Sequence, residues 1–262
     1  MSGRRCMRAE KHTFLSLVEK RTGGVRERAQ AFGLLSENLV IGDLVSAETV
    51  VMAAYDTPRL RAMGCAYYPA SRGLMAVQWL VRTAFSAGLA VICCAALRLP
   101  VWAAETAALA VLFLTCMAFP NRRNMNCNSS GVAALLDLWN RHQDEKTAFV
   151  LLDNDDLLHL GRRAFLKAHR RELAHKTVIE LYCVGRGDVF VVSCGNDSPP
   201  IDSSEHSVVT VRRGRQPFIR LSSAYRRGRL LSAGSIKTPA DSAIDETTVL
   251  NAEQLIERNF LT

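Results

Sequence analysis

The stretch that most constrains this chain is "GLMAVQWLVRTAFSAGLAVICCAALRLPVWAAETAALAVLFLTCMAF", Gly73 to Phe119, whose only charged residues are Arg82, Arg98 and Glu105. Leu74 to Leu97 is long enough as a helix to cross roughly 30 Å of hydrocarbon, and Val101 to Phe119 is just long enough. Leu99-Pro100 breaks the helix between them. Arg82 lies about two turns inside the first segment and Glu105 about one turn inside the second, so each side chain stays close to an interface. Residues 73–119 therefore read as a transmembrane helical hairpin. A single helix kinked at Pro100, or a buried helical pair in a soluble protein, is the alternative. The block begins too far from the N-terminus, and lacks the flanks, to be a signal peptide.

Two crossings return the chain to the side it left, so residues 1–72 and 120–262 share a compartment and are free to form one domain. Arg59, Arg61 and Arg72 precede the hairpin, Arg122 and Arg123 follow it, and the outer turn offers only Arg98. This bias predicts a membrane protein with its soluble part on the cytoplasmic side. A chain of 262 residues with 48% hydrophobic and 22% charged residues has the material for one sizeable core. None of the eight cysteines shows C-x-x-C spacing, and Cys93, Cys94, Cys116 and Cys127 lie in or near the hairpin.

Outside the hairpin the pattern is that of alternating strands and helices. "VVMAAYDTPRL", Val50 to Leu60, is a buried strand running into a turn at Asp56. Ligands of α/β sheets collect beyond the carboxyl ends of strands, which is where Asp56 stands, although an Asp before Thr-Pro also serves as a plain turn cap. "NCNSSGVAALLDLWNRH", Asn126 to His142, is a loop feeding an amphipathic helix. "KTAFVLLDNDDLLHLGRRAFLKAH", Lys146 to His169, is a strand over Ala148 to Leu152, then the acids Asp153, Asp155 and Asp156, then a helix. "KTVIELYCVGRGDVFVVSCG", Lys176 to Gly195, supplies two more strands joined around Gly185 and Gly187. The expected fold is a three-layer α/β/α domain with a mixed, mostly parallel central sheet, interrupted by the hairpin.

The net charge of +8 is densest in "VRRGRQPFIRL" and "AYRRGRL", Val211 to Leu221 and Ala224 to Leu230. An anionic membrane surface is a simpler partner for these arginines than nucleic acid, since the chain is read as anchored beside one; a solvated face is the blandest reading, and no zinc-finger, helix-turn-helix or aromatic stacking motif accompanies them.

In order and spacing, "AAYDT", "NCNSSGVAALLDL", "FVLLDNDDLLHLGRRAF", "ELYCVGRGD" and "GSIKTPADS" resemble the five site-bearing segments of the di-zinc aminopeptidases, metallopeptidase family twenty-eight, which includes bacterial leucyl aminopeptidases and glutaminyl cyclases. The hairpin is then an insertion between the first two segments. The resemblance implies metal ligands from a His and an Asp in the first segment, where this chain has Ala54 and Asp56. It implies a bridging Asp at Cys127, a general-base Glu at Asp155, a metal-binding Glu at Asp156, an acidic ligand at Tyr182 and a closing His at Lys237. Only Asp56 and Asp156 keep hard donors, whereas a catalytic zinc takes about three protein ligands and an open position. Lys237 brings a cation where a metal would sit, and Asp155 is one methylene shorter than the expected base.

The resemblance so modified implies a membrane-anchored, catalytically inactive aminopeptidase-like domain that binds no cofactor and serves to bind or scaffold a peptide or protein ligand in its cleft. The alternative is an active hydrolase with a rebuilt mononuclear zinc site, with Cys127 as thiolate beside Asp56 and Asp156. Cys127 as a small buried residue is the competing role. His142, His159, His169, His175 and His206 are further ligand candidates, although a histidine on a helix face such as His159 is more often a plain surface or core residue. The topology yields the first prediction. In sealed vesicles, protease and thiol-label protection will place residues 1–72 and 120–262 on one side; opposite sides, or a chain that stays soluble without detergent, would refute the hairpin.

Overall fold

The computed structural model describes residues 2–31, 34–56, 59–60, 65–98, 100, 102–103, 105–107, 110, 119–120, 125–155, 159–214, 216–236 and 241–261. The strands that build the main sheet are β1 (Val25–Ala31), β2 (Leu34–Ile41) and β3 (Thr49–Ala54), followed after short strands β4 (Arg59–Leu60), β5 (Cys65–Ala66) and β6 (Phe119–Pro120) by β7 (Thr147–Leu152). Then come β8 (Thr177–Leu181), β9 (Val189–Cys194), β10 (Val208–Arg212), β11 (Ile219–Arg227) and β12 (Leu230–Ser232), with β13 (Ser235–Ile236) beyond them. The helices are α1 (Ser2–Thr22), α2 (Arg72–Ala96), α3 (Ser130–Arg141), α4 (Leu160–Ala168) and α5 (Glu246–Phe260).

Among the described residues the sheet runs β1-β2-β7-β3-β8-β11-β9-β10, with β12 added to β11. Its centre is parallel: β3 pairs with β7 (Ala54↔Leu152) and with β8 (Ala53↔Leu181), and β8 pairs with β11 (Leu221↔Leu181). Towards the edges β2 joins β7 and β9 joins β11 in antiparallel fashion, so the sheet is mixed. The strands β8 and β9, neighbours in the chain, are not neighbours in the sheet, because β11 inserts between them.

Every residue of β3 and β7 is buried, as expected for strands covered on both faces. Alternate side chains serve opposite layers. Val51, Ala53, Phe149, Leu151, Ile179 and Leu181 join Leu15 and Val18 of α1, Leu135 and Leu138 of α3, and Leu255 and Ile256 of α5. Val50, Met52, Val150, Leu152 and Val178 face the other way, against Phe165 of α4 and Leu173. Helices thus cover both faces of the sheet. The connection from β3 to β7 runs through α3 and that from β7 to β8 through α4, on opposite faces, the arrangement that in open α/β sheets makes the carboxyl end of the intervening strand, here β3, the place of the ligand crevice.

The helix α2 stands apart from this core. Ser71 caps it by accepting a hydrogen bond from the Leu74 N–H at 3.2 Å. It is long and apolar enough to cross a membrane, with a mean hydropathy of 1.7 over a window only 18% buried, and it exposes Leu80, Val81, Phe85 and Ile92. Most of the second half of the expected hairpin, Val101 to Phe119, lies outside the described residues.

The α4 layer is closed by charge as well as by hydrocarbon. Glu180, buried in β8, pairs with Arg162 of α4 and, at 2.8 Å, with Arg220 of β11, its neighbour in register. Phe218 lies between the guanidiniums, its ring centroid 4.6 Å from that of Arg162 and 5.7 Å from that of Arg220. Burial opposes the charge on Glu180, but Arg162 and then Arg220 more than offset it and hold the carboxyl below its ordinary value of 4.5. A lowered pKa stabilises the fold at pH above the unfolded value and loses that contribution as pH falls through the folded one. Accordingly Glu180→Ala, which strands two buried cations, will lower unfolding free energy by roughly 3–5 kcal/mol in urea at neutral pH. The difference from the unmodified chain will shrink in acid, below pH 4.5.

Candidate functional site

The crevice at the carboxyl ends of β3, β7 and β8 is assembled around a turn of π-helix, Met125–Ser129, that leads into α3. The carboxylate of Asp241 holds this turn open: it accepts the backbone N–H of Asn126 at 2.7 Å and of Cys127 at 3.2 Å. Those N–H groups belong to a helix start and have no partner within the helix, so a buried acceptor there sets where the helix begins. Asn126 in turn accepts the Gly185 N–H at 2.8 Å, and Ser130 Oγ accepts that of Val184 at 3.2 Å, tying the turn to the loop after β8. Two glycines permit the approach. A Cβ on Gly131 would come within 2.9 Å of the Leu181 carbonyl, and one on Gly185 within 2.6 Å of Ser130 Cβ. The "NSSG" segment is therefore a packing device between α3 and β8.

Asp56 follows β3 and is buried; Asn128 Nδ2 donates to its backbone oxygen at 2.6 Å and to Oδ1 at 3.2 Å. Ala54 ends β3 opposite Leu152, buried and without a donor atom. Cys127 Sγ lies 3.6 Å from the Tyr182 hydroxyl, and Tyr67 meets Tyr182 edge-on at 5.0 Å between ring centroids. With Cys183 and Ala233 these residues form a separate, buried apolar cluster. Burial first, and Cys127 beside it, push the Tyr182 phenol well above its ordinary value, so it stays a neutral hydroxyl.

On the β7 side Asp153 serves the scaffold: it accepts the N–H of Asn154 at 2.6 Å and of Glu37 at 3.1 Å and pairs with Lys11. Asp155 is buried, with Oδ2 2.8 Å from His159 Nδ1 and no hydrogen-bond partner for Oδ1 among the described residues. Burial opposes its charge, but the His159 hydrogen bond and the charges of His159, Arg162 and Arg220 hold the carboxyl below its usual range. His159 reaches back to Asp155 from a left-handed backbone conformation, φ +56°, at the N-cap of α4. Its ring lies 6.1 Å from that of Tyr182.

The crevice thus brings together Asp56, Cys127 and Tyr182, the last two in direct contact, with Asp155 reached through His159. Asp156 and Lys237 lie outside the described residues. His159 is a partner of Asp155 rather than a plain helix-face residue, while His142 pairs with Glu257 at 2.9 Å and His169 with Glu27 at 2.8 Å, away from the crevice. Sequence reading passed over Glu180, Arg162, Arg220 and Asp241. The signal for Glu180 was available, one charge inside the otherwise apolar strand "TVIEL".

Whether these residues fit a metal depends on their donors. At the two-metal positions implied by the resemblance, Ala54 has no ligand atom and Tyr182 is a neutral phenol packed on Cys127. Elsewhere, Asp155, His159 and Glu180 offer ligand atoms within 4.8 Å of one another. The donor types suit zinc. Both Glu180 oxygens are taken by guanidiniums, however, and the His159 Nδ1 by Asp155, so a divalent ion would have to displace these pairs beside two fixed cations.

No family model matches the sequence, and no curated protein matches it. Among solved structures, Porphyromonas gingivalis glutaminyl cyclase superposes with a TM-score of 0.53 at 12% identity, over 94% of this chain and 87% of that one. A Zn-dependent exopeptidase from Parabacteroides distasonis gives 0.51 at 12% identity, over 97% and 90%. Legionella pneumophila LapA aminopeptidase gives 0.49 at 9% identity; the chain spans 59% of that protein's length. The fold is that of the zinc-dependent exopeptidases and glutaminyl cyclases.

If the crevice is organised as a structural joint, its energetics will show it. Asp241→Ala, leaving two buried N–H groups without their acceptor, will cost roughly 2–4 kcal/mol. Tyr182→Phe, which removes only a hydroxyl facing a thiol, will cost less than about 1 kcal/mol. Urea denaturation of both variants checks this.

Proposed function

We propose that this chain is a membrane-anchored protein of aminopeptidase fold that does not hydrolyse peptides and acts as a binding or scaffolding domain on the cytoplasmic side. The observation that carries the reading is the contact of Cys127 with the Tyr182 hydroxyl inside an apolar cluster, at the two positions where the resemblance calls for acidic metal ligands. Hydrolysis on this fold requires a polarised water and a free base. The one candidate base among the described residues, Asp155, is committed to His159 and stabilised as an anion by Arg162 and Arg220. A binding domain needs only the crevice, and a peptide or protein ligand suits it.

Residues 1–72 and 120–262 are read as one domain and residues 73–119 as the inserted hairpin, with the lipid bilayer as a partner. The exposed apolar surface of α2 and the arginines flanking residues 73–119 support this. The second reading is a hydrolase with a rebuilt mononuclear zinc site, expected at Cys127, Asp56 and Asp156; a different group, Asp155, His159 and Glu180, brings ligand atoms together, with Asp155 Oδ1 lacking a hydrogen-bond partner among the described residues.

Metal analysis of the purified protein, paired with aminopeptidase assays with and without added zinc, separates the two. The expected outcome is far less than one zinc per chain and no turnover, with Ala54→His failing to rescue, because a zinc site needs its ligands as a set. Stoichiometric zinc, with turnover abolished by Asp155→Asn, would establish the hydrolase.

A further inference from the structure

Between Ser207 and Lys237 the chain has no Asp or Glu, although arginines recur throughout. Three of those arginines have internal duties. Arg212 donates to the carbonyls of Gly195, Asn196 and Ser198 at 3.2, 2.7 and 3.0 Å, Arg213 donates to that of Pro69, and Arg220 is held by Glu180. The remaining ones described, Arg226, Arg227 and Arg229, are exposed, and among the described residues no carboxylate pairs with their side chains. Asp188 accepts the backbone N–H of Arg226 at 3.1 Å, which leaves the Arg226 guanidinium uninvolved.

These arginines sit on the hairpin formed by β11 and β12, whose register is Tyr225↔Ser232, Arg226↔Leu231 and Arg227↔Leu230. A two-residue turn with Gly228 at φ +60° closes it. Cross-strand partners share a face, so Tyr225, Arg227 and Leu230 lie together, with Tyr225 37% and Leu230 47% exposed. The tip extends ~10 Å from its root at Ala224. An aromatic hydroxyl, an aliphatic side chain and clustered guanidiniums are the chemistry of a phospholipid headgroup layer: tyrosine favours the interface, and arginine pairs with phosphate through two hydrogen bonds.

The root of the hairpin is bonded to the segment that leads into α2. Ala233 N–H donates to the Tyr67 carbonyl at 2.9 Å and Tyr67 N–H to that of Gly234 at 3.2 Å, and β13 then pairs with β5, Ser235 opposite Ala66. Arg213 reaches Pro69, and Arg72 at the start of α2 is near enough to act on its charge. The hairpin is thereby held at the end of α2 that the flanking arginines assign to the inner leaflet.

We propose that the β11–β12 hairpin, through Tyr225, Arg226, Arg227, Arg229 and Leu230, docks on the anionic phospholipids of the leaflet that α2 enters and so sets the orientation of the soluble domain on the membrane. This rests on the reading of α2 as a membrane span, which flotation of the full chain with pure phosphatidylcholine liposomes, resistant to carbonate, tests separately.

The hairpin is tested on the full chain reconstituted in phosphatidylcholine liposomes with and without phosphatidylglycerol, by the rate of chymotrypsin cleavage after Tyr225. Since each arginine near an anionic surface contributes several-fold to association, cleavage is expected to slow by about tenfold in the anionic liposomes. The exposed triple variant Arg226→Gln/Arg227→Gln/Arg229→Gln should be cut at one rate in both. Equal cleavage of the unmodified chain in the two lipids, or protection that persists in the triple variant, would overturn the proposal. So would protection by an added oligonucleotide in neutral liposomes without protection by phosphatidylglycerol, an outcome that would mark a nucleic-acid surface instead.

Discussion

The carboxylate of Asp241 on the first N–H groups of the π-helical turn is the interaction on which the crevice depends. It ties the residue that precedes α5 by a short loop to the start of α3, across more than a hundred residues of chain. With the turn so placed, Asn126 and Ser130 reach the loop after β8, Gly131 and Gly185 let helix and strand close on one another, and Cys127 is delivered against Tyr182. Asn128, on the same turn, reaches Asp56. A crevice joined in this way has little freedom to open, because moving any one member strands buried donors on the others.

Charge balance in the neighbouring interior follows a related logic. The anions Asp155 and Glu180 lie deep in the fold and are offset by Arg162, Arg220 and His159, all supplied by the chain. Fixed guanidiniums cannot be titrated away at physiological pH, so Glu180 keeps its two cationic partners there. A protein with this fold that employs zinc must instead leave acidic donors free for the ion. In this chain the positions at issue hold Ala54, Cys127 and Tyr182, and Asp155 is paired with His159; the proposed absence of hydrolysis rests on these together.

The proposed membrane span and the basic hairpin join the domain at one corner. The short pairing of β5 with β13, and the hydrogen bonds between Tyr67 and residues 233–234, connect the approach to α2 with the exit from β12. Tyr67 also packs on Tyr182. The corner from which α2 departs and the crevice are thus parts of one hydrogen-bonded and packed unit, which suits the proposed role of a domain held at a fixed attitude to a bilayer.

Strands buried on both faces read as unbroken apolar runs, so Val50 to Ala54 and Ala148 to Leu152 were legible within a residue of β3 and β7. Leu74 to Leu97 was legible within two residues of α2, because length and hydropathy are local properties, and so was the glycine-bearing "NSSG" turn that begins α3. Asp56 could be marked as a crevice residue from its place after a strand, and Cys127 only through the resemblance. What they face there was not legible. The pairings of Cys127 with Tyr182, Glu180 with Arg220, and Asp241 with the α3 turn span 55, 40 and about 115 positions. The Glu180–Arg220 pair exists because β11 lies beside β8 in the sheet, and His159 meets Asp155 through a left-handed backbone turn. Periodicity records which side of an element is buried. The partner it is buried against is decided by the order of strands in the sheet, where the closure of long loops is balanced by burial across the whole core.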